Sequence, residues 1–188
     1  GSAAFATLRA PKVVLVTGRG GNATDIGEVW HLLDTRYGLA PLLVDAARLG
    51  QLNLDKYNVL ILSDGNFGSL SAEKLREFVN GGGTLLATGA SLRWLKNAGL
   101  AALEFRNAPA ADRSTRRPYS ALNEDRGARN LPGAIFDIEL DRSHPLCFGY
   151  TRERIPMFQS DTIFVETARN PYATPAVFTK NPLLAVYV

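Results

Sequence analysis

A chain of 188 residues with a net charge of +3 is long enough for one globular domain that buries about 70% of its unfolded surface. The small net charge gives no reason to expect a nucleic-acid partner. The sole cysteine, Cys147, excludes an internal disulfide framework and a multi-cysteine zinc site. No apolar run reaches the roughly 18 residues that a membrane span needs, so no membrane span is expected.

Strands and helices are predicted to alternate through the first hundred residues. Apolar runs predict strands at about 12–17, 40–45, 58–63 and 84–88, of which the first and the fourth are expected to be buried. Apolar residues at helical spacing predict helices within 24–38, 71–83 and 91–99. This alternation is typical of βαβ units. We therefore expect an α/β fold with one parallel sheet in the strand order 2-1-3-4 and helices on both faces.

The sequence also predicts which side chains of these helices pack on the sheet and which cap the helices. Trp30 and Trp94 lie in apolar helical stripes and are expected to pack on the sheet, so that replacing either by alanine costs about 3–5 kcal/mol. Thr24 or Asp25 is predicted to cap the first helix, and Ser71 the second.

The second half of the chain follows a different pattern. Residues 106–133 are polar and rich in arginine, but they contain a single aromatic residue, Tyr119, and Glu124 and Asp125 interrupt the positive charge. A solvated loop, or one that docks on another domain, is therefore favoured over a nucleic-acid interface. Alternating or apolar segments at 134–141, 155–168 and 174–188 predict short strands, which we expect as β-hairpin additions to the sheet.

A glycine-containing turn follows the first strand. Gly18, Gly20 and Ala23 fit the spacing of a dinucleotide fingerprint, and Asp45 could act as the ribose-binding acid. A small-molecule or nucleotide-binding module that uses the Gly18–Ala23 turn is thus one hypothesis. Glycine is also common at such a turn for structural reasons, and Asp25 would repel a phosphate at the helix start. The structural interpretation is therefore favoured.

The segment "GGGTLLATGASLRWL" (81–95) predicts a strand that bends sharply into a helix, where α/β hydrolases place a nucleophile. Ser91 lies at that bend, but Arg93 stands where the G-x-S-x-G elbow has its second glycine. A serine nucleophile also needs a base, and neither His31, in a helix, nor His144, in a turn, is well placed. Helix capping by Ser91 is favoured over a serine hydrolase or amidotransferase-like activity.

Three segments, at 17–45, 54–95 and 131–150, carry a family resemblance: "TGRGGNATDIGEVWHLLDTRYGLAPLLVD", "LDKYNVLILSDGNFGSLSAEKLREFVNGGGTLLATGASLRWL" and "LPGAIFDIELDRSHPLCFGY". Together they resemble the C-terminal domain of bacterial zinc carboxypeptidases of the carboxypeptidase A superfamily. That domain is similar to class I glutamine amidotransferases. The resemblance implies a flavodoxin-like α/β domain over residues 12–188, truncated at its C-terminus. The opening Gly1-Ser2 is typical of an expression scar, so residues 1–11 are interpreted as scar and linker.

What the resemblance implies for function is an accessory role. Zinc carboxypeptidases bind zinc through two histidines and a glutamate in another domain, and none of these ligands falls in the matched segments. The amidotransferase cysteine is also missing, because Ala90 and Ser91 stand at its position. We therefore expect a non-catalytic domain without a cofactor or metal of its own. It is expected to pack on, or assist, the zinc carboxypeptidase domain of the same chain, in the periplasm or outside the cell.

Overall fold

The computed structural model describes residues 9–106, 116–127, 131 and 133–186, which divide into two compact units at Ala102/Leu103. The first unit contains a four-stranded parallel sheet in the order β2-β1-β3-β4. Its strands are β1 (Val13–Thr17), β2 (Leu42–Asp45), β3 (Val59–Leu62) and β4 (Thr84–Ala87). The predicted α/β class, strand positions and strand order are confirmed.

Helices cover both faces of this sheet, as predicted. They are α1 (Ala23–His31), which continues as a turn of π-helix (Leu32–Arg36), α2 (Ala72–Asn80) and α3 (Ser91–Asn97). Alternate residues of β1 divide the core between the two faces, because successive side chains of a strand point in opposite directions. Val13 and Leu15 pack with α1, whereas Val14 and Val16 pack in the larger cluster that includes α2 and α3.

The larger cluster holds most of the buried apolar side chains of the first unit. Leu75 and Phe78 of α2, Leu95 of α3 and Phe67 of the loop after β3 are all buried in it. Trp94 packs against this cluster, as expected. Trp30 does not meet the expectation, because its side chain is 42% exposed. The side chains that contact the sheet here are Ile26 and Val29 of α1 and Leu33 of the π-helical turn.

The helix caps are only partly as predicted. Ser71 caps α2, since its hydroxyl accepts a hydrogen bond from the backbone N–H of Lys74 at 3.3 Å. Neither Thr24 nor Asp25 caps α1; the cap is Asn22, whose side-chain oxygen accepts from the N–H of Thr24 at 3.1 Å. The turn residue immediately before the helix is an asparagine, which caps as well as serine or aspartate does.

The second unit is built on an antiparallel sheet of three strands in the order β6-β5-β7. Its elements are a short helix α4 (Leu122–Gly127), β5 (Ala134–Leu140), β6 (Arg154–Gln159) and β7 (Ala176–Val186). Ile138, Leu140 and Cys147 form its buried cluster. The predicted strands are present, but among the described residues they form a sheet of their own and do not extend the parallel sheet. Residues 107–115, 128–130 and 132 of the polar segment lie outside the described residues.

Leu75 provides a test of the packing between α2 and the sheet. Replacing this fully buried side chain by alanine is expected to lower the free energy of unfolding of the 188-residue chain by about 2–5 kcal/mol, because a cavity replaces core contacts. Val79 on the same helix is 41% exposed, so Val79→Ala is the control and should change stability by less than about 1 kcal/mol. Chemical denaturation measures both. Equal losses would contradict the assignment of the buried face.

Candidate functional site

The carboxyl ends of the parallel strands are where open α/β sheets bind ligands and place catalytic residues. Three loops meet there in the first unit, at residues 18–22, 63–67 and 88–91. They follow β1, β3 and β4, which are neighbours in the sheet. This edge contains Gly18, Gly20, Asp45 and Ser91, the four site candidates from the sequence, so the fold does bring the candidates to one edge.

Asp64 connects the three loops. Its carboxylate oxygen Oδ1 accepts a hydrogen bond from the backbone N–H of Ala90 at 2.6 Å, and Oδ2 accepts from the Asn22 side-chain amide at 3.4 Å. Its backbone carbonyl accepts from the N–H of Asn22 at 2.8 Å. A carboxylate oxygen lies where Gly89 would carry a Cβ, which explains glycine at that position. Asp64 is not among the residues predicted from the sequence; the available signal was an acidic residue directly after a buried strand.

Ser91 is fully buried, and its hydroxyl is engaged with backbone. Oγ donates to the carbonyl of Ser63 at 2.5 Å and lies 3.3 Å from the carbonyl of Gly65. The capping prediction is wrong, because the N-cap of α3 is Ala90, whereas Ser91 is the first residue of the helix and its hydroxyl donates elsewhere. Ser91 instead joins the start of α3 to the end of β3. A hydroxyl in this position is not presented to a substrate.

His31, the histidine of the first unit, does not supply a base at this bend. His31 is the last residue of α1, and α1 begins at the carboxyl edge, so nine helical residues carry His31 about 12 Å away along the helix axis. His144 belongs to the second unit, where its Nδ1 accepts from the N–H of Leu146 at 3.2 Å. Cys147 is buried in the same unit, with its thiol 3.7 Å from the carbonyl of Pro175.

The glycine turn after β1 is in close contact with the loop after β3. The backbone N–H of Asn66 donates to the carbonyl of Gly20 at 2.8 Å, and Gly21 pairs with Gly65 as an isolated bridge. Gly20 has φ of +103°, and a Cβ there would overlap the carbonyl oxygen of Asn66. The glycine is therefore required by contact with protein backbone. This contact accounts for the turn without a pyrophosphate.

Asp45 lies against the same turn. One carboxylate oxygen accepts from the N–H of Ala47 at 2.8 Å and so caps a 3₁₀ turn, Ala46–Gln51. The other carboxylate oxygen lies where Gly18, at φ of +90°, would carry a Cβ. Gly18 and Asp45 are thus brought together, as the nucleotide hypothesis requires. The geometry also gives each a structural role.

The polar turn around Asp141 in the second unit shows a shifted pKa. The side chain and backbone N–H of Ser143 hydrogen-bond the carboxylate and, with a smaller contribution from His144, hold the pKa of Asp141 below its usual range. Hydrogen bonds to the ionised form have this effect. The carboxylate is solvated, so this turn is a surface feature and not a buried acid prepared for catalysis.

A cleft of about 430 Å³ lies away from the carboxyl edge, near the residues that precede β3 and β4. Its charged lining contains both signs: Arg9 and Lys74 against Asp55 and Glu77. The Lys74 ammonium already donates to the carbonyls of Gly50 and Leu52, at 2.6 Å each. The lining therefore favours neither an anionic nor a cationic ligand.

Neither a metal cluster nor a membrane helix occurs in the part of the chain that the structure describes. No three side chains among its His, Cys, Asp and Glu residues are grouped so that they could hold a metal ion. None of its helices is both long and apolar enough to cross a bilayer. Models of known protein families and curated protein sequences gave no match to the chain.

Two buried serines give a matched test of the Ser91 contact. Ser91→Ala is expected to lower the free energy of unfolding by about 1–3 kcal/mol, because the carbonyl of Ser63 loses its buried donor. The hydroxyl of Ser63 is equally buried and has no hydrogen-bond partner in the described structure, so Ser63→Ala should be neutral or stabilising. Urea denaturation compares them. A loss in Ser63→Ala that equals the loss in Ser91→Ala would refute this assignment.

Gly20 provides a test of the turn. Gly20→Ala should cost at least about 1–3 kcal/mol, because the new Cβ overlaps the backbone of Asn66 and the residue holds a left-handed conformation. A Cβ added at Gly50 would meet no atom within 4 Å, and Gly50 has no positive φ, so Gly50→Ala is the control and should be tolerated. Thermal unfolding followed by circular dichroism separates the two. Equal melting temperatures would contradict the close contact between the loops.

Proposed function

We propose that this chain is a non-catalytic accessory domain of a zinc metallocarboxypeptidase, which packs on or assists the peptidase domain of the same protein. Its fold is proposed to be flavodoxin-like, of the class I glutamine amidotransferase type. The proposal rests on the family resemblance of three sequence segments. The single structural observation that supports it is the state of Ser91, whose hydroxyl is buried and donates to the carbonyl of Ser63.

A nucleophilic serine needs an accessible hydroxyl and a base that takes its proton. Ser91 lacks the first, and His31 is placed at the far end of α1. The resemblance implies that the zinc ligands, two histidines and a glutamate, belong to another domain. Hydrolysis of C-terminal residues from peptides is therefore assigned to a separate peptidase domain. A periplasmic or extracellular location belongs to the same proposal.

The complete reading frame tests the family assignment. We expect it to encode, upstream of the present chain, a domain with a zinc-ligand motif of two histidines and a glutamate. A frame that contains no such motif would remove the basis of the proposal.

The absence of serine chemistry is tested on the full-length protein with its zinc chelated. We expect no hydrolysis of ester, amide or glutamine substrates above background, in the parent and in Ser91→Ala alike, because no base activates the serine. Ser69→Ala, an exposed serine in the loop after β3, is the matched control. A zinc-independent activity that is present in the parent and in Ser69→Ala but lost in Ser91→Ala would favour the hydrolase alternative.

The accessory role is tested by comparing the peptidase domain alone with the full-length protein. Burial of a shared interface should raise the melting temperature of the peptidase domain, by roughly 2–4 °C for each kcal/mol of interface energy. Calorimetry at constant zinc concentration measures the change, and hydrolysis of a peptide substrate reports any effect on activity. Identical melting temperatures and rates would show that this domain neither packs on nor assists the peptidase.

A further inference from the structure

No further inference is drawn: the strongest candidate, the apolar surface patch of Leu146, Phe148 and Tyr150 at the 3₁₀ turn Pro145–Cys147 of the second unit, is exposed and has flanking charges of both signs, and nothing in the structure shows what covers it.

Discussion

The first unit depends on the way Asp64 holds three strand ends together. In open parallel sheets the loops at the carboxyl edge separate where the chain changes direction, and the resulting crevice binds ligands. Here the loops after β1, β3 and β4 are linked through the carboxylate and carbonyl of Asp64. Charge-assisted hydrogen bonds to backbone N–H groups are among the stronger ones in proteins. The carboxyl edge of the sheet, where a ligand would bind in such folds, is thus stabilised by contacts within the protein.

Contacts within the protein account for the glycines at this edge. Gly18, Gly20 and Gly89 all have positive φ. A Cβ at Gly18 or Gly89 would overlap an aspartate carboxylate, and one at Gly20 would overlap a backbone carbonyl. In a phosphate-binding loop the same residues leave room for the ligand. The spacing of glycines therefore does not distinguish the two uses, because both require a close approach to the backbone.

The parallel sheet could be predicted from the sequence because its signals are local. Each strand is a short apolar run, and in β1 and β3 the run is buried because the sheet is covered on both faces there. The short βα connections restrict the strand order. Whether a helical residue faces the sheet is less certain at the margin of an apolar stripe. Trp30 lies at such a margin: its side chain is partly exposed, whereas Ile26 and Val29 pack on the sheet.

The arrangement of the second half could not be predicted, because antiparallel pairing between segments far apart in sequence leaves no local mark. The strand at 134–140 was recognisable from its alternation, but its pairing with both β6 and β7 is a property of the folded chain. The same limit applies to the site. The hydrogen bonds between Asp64 and Ala90, and between Asn66 and Gly20, join residues of different loops. Sequence spacing identified the loops but not the bonds between them.

Ser91 has a structural use at this bend that does not depend on catalysis. Backbone carbonyls at the end of a buried strand need donors, and an unsatisfied buried group costs about 1–3 kcal/mol. The Ser91 hydroxyl supplies a donor to the carbonyl of Ser63 from the first residue of α3. A serine there is therefore useful to the fold whether or not a base accompanies it. The residue that a catalytic motif would place on the surface is, in this chain, part of the interior.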